Sequence, residues 1–163
     1  GDGRFKLTYR SPTDSGVLMT VEAPDPTDAP LFVDVCSAGK WERAAVLGHG
    51  LVRVGNLIVP EQNNLASNPD AVRLSDRADI ILLAGQRQKF RIGSNPRLTN
   101  WNTASLCSVT VALNTEPGTR YRATWHYQNK ACSMAVAAIP EGASGSAEKP
   151  VPGIEADGSC SIP

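Results

Sequence analysis

Two histidines, four cysteines and a scatter of hydroxyls and carboxylates are what this chain offers to chemistry. Their spacing argues against catalysis. His49 lies in Gly48-His49-Gly50, a turn able to hold an imidazole out for binding. His126 alternates with Trp125 and Tyr127, which places it with Arg122, Thr124 and Gln128 on the other, exposed face of a strand. A zinc site needs three or four converging ligands, and neither histidine has such neighbours in sequence. The nearest approach to the Gly-x-Ser-x-Gly elbow of hydrolases is the Gly-Ala-Ser-Gly-Ser run at 142–146. It has the wrong spacing and sits in a stretch with no strand-to-helix pattern. Carboxylate pairs for glycoside chemistry can be distant in sequence, but Asp and Glu here fall mainly in turns and near the C-terminus. No glycine-rich loop precedes a helix, so a nucleotide phosphate has no cradle. These residues point to a protein with no catalytic group, no metal and no cofactor.

The best candidate contact surface is the polar loop at 93–105, where Trp101 stands among Arg97, Asn100 and Asn102. An exposed indole flanked by amides suits a sugar or a peptide. Arg87, Lys89, Arg91 and Arg97 form a local basic excess, which reads as the solvated face of a strand plus a loop. Elsewhere charge balances: sixteen basic and sixteen acidic side chains in 163 residues give a formal net charge of zero. No overall field then favours nucleic acid or an anionic membrane. No apolar run approaches the ~20 residues of a membrane-spanning helix, and no leader is recognisable, so a mature or trimmed exported form is expected.

Cys36, Cys107, Cys132 and Cys160 match no C-x-x-C pattern and are even in number, which fits two disulfides in an oxidising compartment. Three connectivities exist. We favour Cys107–Cys132 with Cys36–Cys160, and the other two stay open. In a flat three-stranded meander Cys107 and Cys132 lie two strands apart, about 9.6 Å. A disulfide needs Cα atoms within roughly 7 Å. The favoured pairing therefore requires that end of the sheet to be distorted.

The elements that must position these groups are strands. Residues 106–139 read as a meander of three antiparallel strands, with apolar side chains at every second position. Pairing Leu113 with Tyr121 sets Val109 by Trp125. A two-residue turn at Asn129-Lys130 then sets Tyr127 by Cys132 and Trp125 by Met134. Both registers put the apolar sets on one face, which a one-residue slip would undo. Residues 4–10 and 16–23 read as a strand-turn-strand pair, 31–36 as a strand and 51–60 as one buried strand. Residues 79–83 and 87–92 read as a hairpin about Ala84-Gly85-Gln86. The one helix candidate is 38–47, with Gly48 as its stop. Residues 1–139 thus form a single all-β domain, an antiparallel sandwich of Ig-like or transthyretin-like type with 7–9 strands and at most one short helix. Residues 140–163, rich in Pro, Gly and Ser, read as a disordered tail held only if Cys160 is bridged.

The runs Ile80-Ile-Leu-Leu-Ala-Gly-Gln, Cys107-Ser-Val-Thr-Val, Glu116-Pro-Gly-Thr-Arg-Tyr and Ala131-Cys-Ser-Met-Ala-Val resemble those of small bacterial cell-envelope β-domain proteins, often lipoproteins. The similarity covers about residues 72–139. It implies an envelope location, periplasm or cell surface, and brings no catalytic residues. The expected role is a structural or protein-binding accessory module whose partner is another envelope protein. The alternative is a carbohydrate-binding module that meets a glycan through Trp101. Nothing in the sequence sets the oligomeric state.

Overall fold

Alternation governs the fold. Val17, Met19 and Val21 point one way along their strand, as do Leu31, Val33 and Val35, or Phe90 and Ile92, and all of these are buried. The computed structural model describes residues 5–25, 29–94, 107–129, 131–142 and 147–161. It is nearly all β, with 57% of the chain in strands and no helix of seven residues or more. Twelve strands are present among the described residues, more than the 7–9 expected. They are β1 (Gly16–Glu22), β2 (Leu31–Ser37), β3 (Lys40–Leu47), β4 (Leu51–Val54), β5 (Leu57–Pro60), β6 (Val72–Arg73), β7 (Arg77–Leu83), β8 (Arg87–Ser94), β9 (Cys107–Asn114), β10 (Thr119–Gln128), β11 (Ala131–Pro140) and β12 (Lys149–Pro150). A five-stranded sheet has the order β12-β11-β10-β1-β7, a four-stranded sheet β3-β2-β8-β9, and a small third sheet β5-β4-β6. The first two share one apolar core built around Met19, Leu31, Phe90, Tyr121 and Trp125. The third packs on the outer face of the four-stranded sheet through Phe5, Phe32, Leu51 and Ile58.

The β10–β11 hairpin has the expected register, with Tyr127 opposite Cys132, Trp125 opposite Met134 and Ala123 opposite Val136. The rest of the meander does not form. β9 pairs with β8 in the four-stranded sheet, and the chain crosses to the other sheet before β10. The physical reason lies in β9 itself, where Thr110 and Ala112 are buried along with Val109, Val111 and Leu113. Alternation assigns a side chain to a face but does not choose the neighbouring strand. The same error affects β7 and β8, which flank Ala84-Gly85-Gln86 yet belong to different sheets. The two crossings are zipped together at Thr115, whose amide donates to Gln86 O and whose hydroxyl donates to Leu83 O at 2.6 Å.

Three further expectations are corrected. The helix candidate at 38–47 is β3, joined to β2 by a two-residue turn in which Ala38 (φ 52°) and Gly39 (φ 76°) both take positive φ. That is the primed turn whose twist suits a hairpin, and strand pairing overrides the helix propensity of Ala44 and Ala45. Residues 51–60 form the β4–β5 hairpin rather than one strand. The segment before β1 is not its partner: the Thr8 and Tyr9 amides donate to Arg43 O on β3. β1 instead lies between β7, antiparallel, and β10, parallel.

Cys36 bonds Cys160 and Cys107 bonds Cys132. No sheet distortion is needed for the second pair, because β9 and β11 lie in different sheets whose edges meet with Cα atoms 6.0 Å apart. The bonded Cys160 holds the C-terminal segment against the body. β12 pairs with β11, the Ala112 amide donates to Ile154 O, the Ala156 amide donates to Thr110 O, and Ile154 enters the core. Disulfides are compatible with an oxidising, extracytoplasmic location. No helix among the described residues is long and apolar enough to cross a membrane.

Candidate functional site

Of the residues expected to make contacts, Arg97, Asn100, Trp101 and Asn102 lie outside the described residues. Their bracketing positions Ser94 and Cys107 are paired strand ends. His49 is held by backbone geometry. A Cβ at Gly48 would press on the Leu74 side chain, and Gly50 has φ +73°, a conformation that favours glycine. The imidazole Nδ1 is 3.8 Å from Asp76 Oδ2 in a concavity of about 450 Å³, which also holds an Arg73–Glu61 pair at 2.7 Å. The nearby Ser75 hydroxyl donates to Arg77 O and is not directed at His49. His126 stands 3.5 Å from Asp25 Oδ2, which also accepts the Tyr127 amide. Ser133 lies opposite His126 across the β10–β11 pair, with no hydrogen bond between them among the described residues, and no group of three or more His, Cys, Asp or Glu among the described residues is arranged to hold a metal.

The densest charged cluster has a structural purpose. Asp34 is 3% exposed and lies between Arg43 (2.7 Å) and Arg91 (3.1 Å) on the outer face of the four-stranded sheet. Arg43 stacks on Phe32 and Arg91 on Trp41. A buried carboxylate must be paired, and strand register supplies both partners, since Asp34 is opposite Arg43 on one side and Arg91 on the other. The signal for this cluster in the sequence was one Asp at an outward position of Leu-Phe-Val-Asp-Val. Its partners, 9 and 57 residues away, left none.

Sheet edges distinguish one region of the molecule from the rest. An edge strand presents unpaired peptide groups, and proteins usually blunt them. On β7, Arg77 N and O meet the Ser75 hydroxyl, Ile81 O accepts from the Tyr9 hydroxyl at 2.6 Å, Leu83 N donates to Gln88 Oε1 and Leu83 O accepts from Thr115. Burial pushes the Tyr9 phenol above its ordinary pKa, which keeps that donor protonated. These caps explain the buried Gln88 and Thr115. The edge of β3 is covered by residues 8–9, and β9 carries the C-terminal segment across Thr110–Ala112.

β11 is different. Its outer side is paired at Ala137 and Ala138, and Val136 O accepts from the Val151 amide. The covering segment then turns away, because Pro152 has no N–H to continue a ladder and Gly153 takes φ 66°. The outward peptide groups of Cys132 and Met134 have no strand partner among the described residues. Ala131, Ser133 and Ala135 beside them are exposed and small. Residues 131–135 themselves include no Lys, Pro or charged side chain. The Cys107–Cys132 bond pins one end of this stretch, and the paired Ala137 the other, so the open edge is held in strand geometry. Periodicity placed these residues on β11. It carried no sign that the edge is open, since that follows from where Pro152 sends the C-terminal segment.

No family model, no curated protein and no solved structure matches this chain significantly.

Proposed function

We propose that this chain is an exported, non-catalytic module of the bacterial cell envelope that binds another protein by strand addition at β11. The single observation that carries this reading is the contrast between edges, with β7 met by side chains at Arg77, Ile81 and Leu83 and β11 without a strand partner among the described residues over 131–135. A partner segment laid along β11 would gain the hydrogen bonds that Cys132 and Met134 hold ready, while small flanking side chains admit it without a clash. Two sheets closed over one core, with a disulfide at each end, support the finer reading of an Ig-like sandwich and an oxidising compartment such as the periplasm.

A photo-crosslinking side chain placed at Ser133, in the native host, tests the proposal. One discrete protein adduct is expected there and none from the same group at Asp79 on β7. Equal labelling at both positions, or none at either, contradicts it.

A further inference from the structure

The basic run on β8 can be accounted for residue by residue. Arg87, Lys89 and Arg91 alternate with the buried Gln88, Phe90 and Ile92, so all three lie on the outer face of the four-stranded sheet. Arg91 is committed to Asp34 and Trp41, and Lys89 to Asp157 at 2.8 Å. Arg87 makes no ion pair among the described residues. Arg10 makes none either, and it faces the same cavity from the segment that precedes β1. That cavity, about 710 Å³, is bounded on one side by the C-terminal strap, which the Cys36–Cys160 bond fixes in place. Its volume falls in the ordinary range for small-ligand sites, roughly 300–1,000 Å³. Three cations, Arg10, Arg87 and Lys89, line it against one carboxylate, Asp157. Because Asp157 is occupied by Lys89 and by the Ser159 amide and hydroxyl, two guanidiniums are left to face an incoming group.

We propose that this cavity binds an oxyanion: a carboxylate, sulfate or phosphate group presented by a sugar acid or as a free ion. A guanidinium offers paired N–H donors that match the planar or tetrahedral oxygens of such groups. The Ser161 hydroxyl, 3.2 Å from Ser159 Oγ on the strap, supplies a neutral donor beside them, the Ser159 proton being given to Asp157. The proposal is independent of the β11 edge, which lies toward the other end of the sheets. Both guanidiniums are solvent-accessible, so binding is salt-sensitive.

Calorimetric titration at low salt, with inorganic phosphate, a galacturonate oligomer, a sulfated oligosaccharide and a neutral glucose oligomer, tests it. Binding of at least one anionic probe and none of the neutral oligomer is expected. Phosphate binding as tightly as the oligomers identifies a free anion as the ligand, and a preference for either charged oligomer identifies a sugar acid. Arg87→Gln should weaken binding about tenfold, the value of one charge-assisted hydrogen bond, and Arg87→Lys should recover part of it. Arg73→Gln, which removes one exposed cation outside the cavity, should leave it unchanged. The proposal is overturned if no anionic probe binds, if the neutral oligomer binds equally, or if Arg87→Gln, folded by circular dichroism, behaves as Arg73→Gln does.

Discussion

Asp34 shows how a single residue can fix the arrangement of three strands. Its carboxylate is buried between two arginines that approach from β3 and β8. Removing the anion leaves those cations crowded without compensation, and breaking a buried pair costs about 3–5 kcal/mol. Asp34→Ala should therefore lower the denaturant midpoint by a corresponding amount, whereas Glu61→Ala, at an exposed pair, should change stability by less than about 1 kcal/mol. Asp157 behaves differently because it is fully exposed. The Lys89 ammonium, then the Ser159 hydroxyl and amide, hold its carboxyl well below the usual carboxylate range. A depressed folded value stabilises the folded state at pH values above the unfolded one, near 3.9, and that contribution fades as pH falls toward the folded value. Attachment of the strap should thus be constant from neutral pH to about pH 4 and weaken only in stronger acid, as read by amide exchange at Ala156. Asp157→Asn should remove this acid dependence. Gly93 is a third decisive residue, since a Cβ there would overlap the Cys107 carbonyl and Ser108. Gly93→Ala should separate β8 from β9 locally and destabilise the protein, by an amount that calorimetric melting can measure.

Among the elements, strands were legible where alternation was strict, and their partners were legible where a turn was short. β10 and β11 meet both conditions, with alternating apolar residues on each side of a tight turn that begins at Asn129 (φ 51°), and their register could be read residue by residue. β9 and β10 are separated by residues 115–118, long enough to cross between sheets, so the pattern Val109-Val111-Leu113 was compatible with either sheet. β3 was obscured because Ala44 and Ala45 favour a helix while its true determinant, positive φ at Ala38 and Gly39, is a property of a turn that Ala seldom enters. The candidate edge site was hidden for a related reason. Tyr9, Gln88 and Thr115 cap β7 at Ile81 and Leu83 from three separate parts of the chain, and only their convergence reveals that this part of the edge is met. The C-terminal segment is the element most dependent on one covalent bond. Reducing Cys36–Cys160 alone, or replacing both cysteines by serine, should free residues 147–161 to proteolysis and cost about 2–5 kcal/mol. The core residues Val33 and Phe90 should keep their protection, because Ile154 is the strap's only buried apolar anchor among the described residues and sits at the margin of the core.

At the scale of the whole molecule, two sheets are closed along one side by residues 5–9, which join Arg43 on β3 to Ile81 on β7. Along the other side the C-terminal segment joins β11 to β9, but over only part of their length. The two disulfides lock the molecule near opposite ends of the sheets, and the remaining length of β11, without a strand partner among the described residues, is the edge on which the proposed binding role rests. Residue-resolved amide hydrogen exchange on the purified protein tests that claim most directly. The Cys132 and Met134 amides should exchange at rates close to those of unprotected peptide groups, while the Leu83 amide on the capped edge and the interior β10 amides exchange far more slowly. Strong protection of Cys132 and Met134, equal to that of the interior strands, would show that the β11 edge is already occupied and would contradict the account.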